Sequence, residues 1–254
     1  MTQTELPEFK GRPLMEVPQD IPRAGFLRRD FGKAFLEEYQ GRVKADYKGN
    51  SVLNVLSFRE GVVTGSNSFS VVLANKILRQ ERLRTATQAD LEKALKFGVL
   101  PLRETYEDTG LLLRSEEEMN YLRNTPLAKD LAEQVKKRGI KFDSENPVMI
   151  PLKELELENA DNYHGLIFRL REDAKIYESP ILNKRTGNFS SEDIDEKTGL
   201  PTKLGEGNRT LHTRSTGLSR LILGRGSRVD SDDMNLAYSS DDGRIVVVKE
   251  GGNK

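Results

Sequence analysis

The chain contains no cysteine among its 254 residues. Disulfide bonds, thiol catalysis and zinc sites built on thiolates are therefore excluded. Histidine is scarce as well, because only His164 and His212 occur. A general base or metal ligand of the imidazole type must be one of these two residues. Their spacing does not fit a His-Glu-x-x-His helix, so we expect no bound metal and no cofactor.

An excess of one charge and long apolar runs are also missing. The 40 basic residues balance 40 acidic residues, so any preference for nucleic acid or a membrane surface must be local. No apolar run approaches the ~20 residues of a membrane helix, and residues 1–13 contain no apolar core of a signal peptide. The composition, 36% apolar and 31% charged, is typical of globular proteins. We expect a soluble, cytoplasmic, prokaryotic protein with no membrane partner.

Prolines set the N-terminal segment apart from the rest of the chain. Residues 1–23 carry four of them, and proline lacks an amide donor and favours extended geometry in its predecessor. This segment is predicted to be an extended arm. Residues 24–250 are predicted to form one domain, and 251–254 a flexible tail. A division near 140–147 remains the alternative, although no linker-like composition marks it, since this length suits one large domain or two small ones.

The first half of the chain shows helical periodicity. Apolar residues recur at steps of four in 23–41, with Gly41 as the expected stop, and further helices are predicted near 66–78, 87–98 and 125–139. The last is the clearest, because Thr125 and Pro126 suit a helix start and Gly139 suits a helix end. Leu131 lies in the middle of its apolar stripe and is predicted to be buried.

After Gly139 the pattern becomes that of short strands separated by turn residues. The predicted strands are 147–152, 165–171, 174–177, 209–213, 218–223 and 244–249, and one earlier strand is predicted at 50–58. Helices in the first half and strands in the second favour an α+β fold over alternating βαβ units. We therefore expect three or four amphipathic helices packed on a mainly antiparallel sheet.

The segment Gly65–Ser68 joins two valines to a predicted helix. A helix start after a strand offers free amides and a positive dipole end to an anion. The lysine of a P-loop and the three glycines of a dinucleotide-binding loop are both missing. Serine and asparagine are also preferred helix caps. We therefore expect Ser66, Asn67 and Ser68 mainly to cap the helix, with phosphate binding as the alternative.

Residues 203–228 carry a local excess of positive charge. The segment contains Lys203, five arginines and a single acidic residue, Glu206, so its net charge is +5. The arginines are Arg209, Arg214, Arg220, Arg225 and Arg228. Guanidinium groups donate paired hydrogen bonds to phosphate oxygens, and the interspersed glycines allow close approach. Acidic runs at 190–199, 230–235 and 239–243 match no calcium loop and could instead fold back onto these arginines.

These features predict a protein that binds an anionic ligand, either a nucleotide or a nucleic-acid backbone, through the arginines of 203–228. The Ser66–Ser68 helix start is a second predicted contributor. One alternative is a hydrolase or transferase that uses His164 or His212 with nearby carboxylates. Another is a self-assembling structural protein. The sequence leaves the oligomeric state and the identity of the ligand open.

Overall fold

The computed structural model describes residues 24–117, 121–183 and 185–249, together with the backbone of 8–9 and 12–13. Within these ranges the helices are α1 (Arg29–Asp46), α2 (Ser68–Leu78), α3 (Gln88–Lys96) and α4 (Thr125–Lys137). The strands of the first half are β1 (Glu8–Phe9), β2 (Arg12–Pro13), β3 (Ala24–Phe26), β4 (Ser57–Arg59), β5 (Val62–Thr64), β6 (Leu83–Thr85) and β7 (Glu107–Leu113). Those of the second half are β8 (Val148–Pro151), β9 (Leu155–Asn159), β10 (Leu166–Leu170), β11 (Tyr177–Glu178), β12 (Gly187–Phe189), β13 (Arg209–His212), β14 (Leu218–Gly224), β15 (Arg228–Asp230) and β16 (Val246–Lys249).

The principal sheet has seven strands in the order β11-β8-β7-β14-β15-β13-β12. Every pairing in it is antiparallel except that of β13 with β15, as far as the described strands go. A smaller sheet has the order β3-β16-β6, and β1-β2, β4-β5 and β9-β10 form two-stranded pairs. The protein is therefore α+β with a mainly antiparallel sheet, as the sequence predicted. Apart from β1 and β2, the predicted arm and the predicted tail lie outside the described residues.

The main core lies between helices α1, α2 and α4 and one face of β7, β8 and β14. Helix α2 is buried on nearly all sides, with Phe69 and Leu73 almost inaccessible, which is typical of a helix that is apolar all round. Helix α4 packs its apolar stripe into the same core, and Leu131 is fully buried there as predicted. No helix in the described part of the chain is long and apolar enough to cross a membrane.

Three predictions of local structure were wrong. Of the strand predicted at 174–177, only Tyr177 lies in a strand, β11. Residues 51–55 form turns rather than a strand, because the Asn50 side chain accepts a hydrogen bond from the Val52 amide at 2.9 Å and fixes a turn. Helix α1 continues past Gly41 and ends at Asp46. Gly49 lies just beyond this end, with φ +69°, and its amide donates to the Val43 carbonyl at 2.9 Å. Glycine terminates a helix readily only where its backbone is left-handed.

No pattern in the sequence predicted β7, a central strand of the helix-facing core. It begins with Glu107 and Asp108, and both are almost fully buried. Charged residues seldom occupy buried strand positions unless they have partners. Asp108 has Arg220 as its partner and Glu107 accepts a hydrogen bond from Thr105. Two buried charged residues therefore concealed a central strand, and the partner of Asp108 is 112 residues away in the sequence.

Candidate functional site

The arginines of 203–228 lie on and beside strands of the principal sheet, and four of them contact carboxylates. The contacts are Arg209–Glu92 at 2.5 Å, Arg220–Asp108 at 2.7 Å, Arg225–Asp242 at 2.5 Å and Arg228–Asp230 at 3.2 Å. Asp230 and Asp242 come from the flanking acidic runs, so those runs do fold back as the alternative required. Arg214 instead donates to the Thr216 and Asp232 carbonyls, at 3.0 and 3.4 Å.

The predicted helix start is also closely packed. Asn67 is the N-cap of α2, and its Oδ1 accepts a hydrogen bond from the Ser70 amide at 2.7 Å, so the capping prediction is confirmed. The amides of Ser66, Asn67 and Ser68 donate to Ser239 Oγ, Ser70 Oγ and the Leu236 carbonyl. Ser66 Oγ donates to Asp108 at 2.6 Å, and Asp108 in turn binds Arg220. The structure thus brings Ser66 and Arg220 together through a buried carboxylate.

The two histidines occupy different environments. His164 is 2% exposed, lies 5.1 Å from the Phe69 ring, and has Nε2 at 3.3 Å from Asn124 Oδ1. Burial, together with the nearby Arg123 charge, lowers its pKa to about 4. His212 lies on β13 opposite Asp230 in the parallel register with β15. No group of three or more metal-ligating side chains occurs among the described residues.

A groove of about 640 Å³ lies beside α3. One wall is basic and comes from α3 and the turn after it, with Lys93, Lys96 and Arg103. A second wall is acidic and comes from residues 191–196, with Glu192, Asp195 and Glu196. Phe97 also lines the groove, and 54% of its surface is exposed. The groove therefore offers both charges and an aromatic surface to one ligand, and we call it the α3 groove.

Local sequence signals position the basic wall. Thr87 caps α3, and its amide bonds to Asp90 Oδ2 at 2.8 Å, which forms the capping box predicted from the sequence. Lys93 and Lys96 lie near the helix C-terminus, where positive charge is favoured by the helix dipole. Both lysines and Arg103 are exposed, and no ion pair of theirs is found in the described part of the chain. Their charges are therefore available to a ligand.

The acidic wall depends on a tight contact with α3. Gly199 has φ +74°, and a Cβ there would lie 2.4 Å from the Ala89 amide nitrogen. Only glycine suits both the left-handed backbone and this close approach. Asp195 accepts hydrogen bonds from the Thr198 side chain and amide, both at 2.7 Å, and these bonds lower the pKa of Asp195. This carboxylate therefore stays ionised at neutral pH.

A buried ion pair joins α3 to β13 at the α3 groove. Arg209 donates to both oxygens of Glu92, at 2.5 and 2.7 Å, and to the Ser227 carbonyl at 2.6 Å. The Gln88 side chain donates to the same carboxylate at 3.0 Å. Both members of the pair line the α3 groove and are less than a tenth exposed. Of the predicted site arginines, Arg209 is the one that lines this groove, where it fixes the base of the site.

Sequence reasoning missed Lys93, Lys96, Arg103 and the acids of 191–196 as partners in one site. No protein-family model matches the chain, and neither a curated protein nor a solved structure matches it. A functional assignment therefore has to rest on the geometry and the charges of the α3 groove.

Proposed function

We propose that the protein binds a nucleotide in the α3 groove. The observation that carries this proposal is the pairing of a basic wall with an acidic wall around the exposed Phe97 ring. A nucleotide has an anionic end, hydroxyl and amino donors, and a flat base, so it complements all three surfaces. The volume of about 640 Å³ falls within the range of small-molecule sites, roughly 300–1,000 Å³.

The basic wall supplies the phosphate contacts. The Lys93 and Lys96 ammonium groups and the Arg103 guanidinium are exposed at the groove. Charge-assisted hydrogen bonds from such groups to phosphate oxygens are stronger than neutral ones. The direct phosphate contacts first predicted for Arg214, Arg220, Arg225 and Arg228 stay a prediction. Four of the five arginines in that segment already contact carboxylates, so the lysines of α3 are the better phosphate donors.

The acidic wall favours one of the two predicted ligands, a nucleotide or a nucleic-acid backbone, over the other. Carboxylates accept hydrogen bonds from ribose hydroxyls, as in dinucleotide-binding folds, and from the amino groups of bases. A nucleic-acid strand would instead bring successive phosphates close to Glu192, Asp195 and Glu196, and like charges repel. Phe97 offers a ring on which one base can stack. A mononucleotide is therefore favoured over a nucleic-acid backbone.

Calorimetric titration with ATP, AMP and adenosine tests this proposal. The Lys93→Gln/Lys96→Gln variant should weaken ATP binding about tenfold and adenosine binding much less, since a factor of ten corresponds to about 1.4 kcal/mol. The matched control is Lys136→Gln/Lys137→Gln at the end of α4, where both lysines contact glutamates. That control should bind ATP as the wild type does.

Two outcomes would overturn the proposal. The first is a wild-type protein that binds none of the three compounds at millimolar concentration. The second is salt-sensitive binding to oligonucleotides, with a log–log slope of about −0.7 to −0.9 per phosphate contact, in the absence of mononucleotide binding. In the second case Arg214→Gln and Arg228→Gln identify the contacts, because each lost phosphate contact reduces the slope by about one unit.

A further inference from the structure

A second polar pocket, of about 260 Å³, lies at the C-terminal end of α2. Its basic lining residues are Arg79, Arg84, Lys153, Arg171 and Lys175, and its acidic ones are Glu154 and Asp173. Five basic against two acidic side chains leave an excess of three positive charges in a protein whose net charge is zero. We call this cavity the Arg79 pocket.

Buried hydrogen bonds hold the walls of the Arg79 pocket together. Asn75 is 1% exposed, and its side chain donates to the Lys153 carbonyl and accepts from the Thr85 amide, both at 3.1 Å. The Arg171 amide donates to the Glu154 carbonyl at 3.0 Å. Segments that are distant in sequence are therefore fixed to one another through backbone groups, and the pocket is part of the folded framework.

Three of the five cations are committed to carboxylates. Arg84 contacts Asp90 at 2.5 Å, Lys153 contacts Glu154 at 2.9 Å and Arg171 contacts Asp173 at 3.1 Å. Each of these three cations is largely neutralised by its carboxylate. The two remaining basic residues of the pocket are Arg79 and Lys175. When Asp90 beside Arg84 is counted as well, the excess falls to two positive charges, those of Arg79 and Lys175.

The guanidinium group of Arg79 has only long contacts and lacks a full set of hydrogen-bond acceptors. Its Nη1 lies 3.7 Å from Glu156, and its Nε donates to the Asn75 carbonyl at the long distance of 3.4 Å. Its Nη2 is buried without a hydrogen-bond partner among the described residues. Lys175 is exposed, and the described part of the chain provides no ion pair for it. A guanidinium whose contacts are long and incomplete is unfavourable, and an anionic ligand beside it would supply the missing counter-charge.

We propose that the Arg79 pocket binds a small phosphate group, with the Arg79 guanidinium and Lys175 Nζ as the donors to its oxygens. Paired donors on a planar guanidinium suit a tetrahedral oxyanion, and a lysine adds a mobile point charge. The volume of about 260 Å³ is below the usual range for drug-sized ligands and suits inorganic phosphate or a short phosphate monoester. This site is separate from the α3 groove and does not depend on nucleotide binding there.

Calorimetry on the full chain with inorganic phosphate and with glycerol 3-phosphate tests the proposal. Wild type should bind at least one of them. Arg79→Gln should weaken binding about tenfold or more, because a hydrogen bond to a charged group is lost. Lys175→Gln should weaken it about threefold, since its charge is exposed and screened. Tighter binding of the ester would identify an organic phosphate as the ligand, and equal binding would identify free phosphate.

Matched controls keep the test decisive. Arg59→Gln and Lys137→Gln each remove an exposed charge that lines neither cavity, and both should retain wild-type affinity. Lys175 is exposed, so Lys175→Gln should fold even if Arg79→Gln does not. Absence of binding by wild type at millimolar phosphate would overturn the proposal, as would equal affinities in wild type, Arg79→Gln and Lys175→Gln. The Lys93 and Lys96 variants report separately on the nucleotide proposal, so either proposal can fail alone.

Discussion

Arg220 and Asp108 form a bidentate ion pair sealed inside the protein. Nε and Nη2 of Arg220 each donate to a different oxygen of Asp108 at 2.8 Å, and the arginine is 1% exposed. Burial by itself lowers the pKa of Arg220, but the carboxylates of Asp108 and Asp233 outweigh burial and raise it. The guanidinium therefore remains charged and holds β7, β14 and the 230–235 turn together.

Removal of one member of this pair should be strongly destabilising. Asp108→Asn leaves a buried arginine without its main counter-charge, and we expect a loss of about 3–5 kcal/mol in the free energy of unfolding. The double variant Asp108→Leu/Arg220→Met should lose less than the single one, because no buried charge remains. Urea unfolding measures both. Arg59→Gln, at an exposed contact with Asp241, is the control and should change stability by less than about 1 kcal/mol.

Glu107 should make stability fall as pH rises from 4.5 towards 8. Burial raises its pKa to about 8 from 4.5, against the opposing effects of the Thr105 hydrogen bond and Arg244. The folded state therefore holds the proton more tightly than the unfolded state. The stabilisation is complete below pH 4.5 and is lost as pH rises through 8. Glu107→Gln cannot titrate, so its unfolding free energy, measured by urea denaturation, should fall less over this window than that of wild type. Parallel pH profiles would contradict this.

His164 should act in the opposite direction. Its pKa is lowered from 6.5 to about 4, mainly by burial and secondly by Arg123. The folded state resists protonation, so its stabilisation is present above pH 6.5 and is lost as pH falls through 4. His164→Phe should lose less stability than wild type over that interval. An NMR titration of the imidazole protons checks the cause, and a midpoint near 6.5 for His164 would show that the ring is solvated.

Asn67 and Ser68 provide a matched pair at the start of α2. Asn67→Ala removes the cap to the Ser70 amide and the side-chain donors to the Val52 and Ala237 carbonyls. We expect a loss of about 1–2 kcal/mol. Ser68 Oγ is buried without a partner among the described residues, so Ser68→Ala should change stability by less than about 0.5 kcal/mol. Thermal or urea unfolding distinguishes the two, and equal losses would show that the hydroxyl has a partner.

Much of the fold was predictable from the sequence because its signals are local. The capping box of Thr87 and Asp90 and the apolar stripe around Leu131 each lie within a single element, and the structure confirms both. Helix and strand periodicities depend on neighbours a few residues away. The α+β class follows from the distribution of these signals along the chain. A cluster of arginines within 203–228 was visible for the same reason.

Only the tertiary structure decided which charges are paired and where the cavities lie. Glu92 lies on a distant helix, yet it neutralises Arg209 at 2.5 Å. Arg79 and Lys175 are far apart in sequence and line one pocket. Coulomb interactions and desolvation depend on separation in space and on burial, which the order of residues does not specify. The sequence by itself therefore determined the elements and their class, whereas folding determined which cations remain available to a ligand.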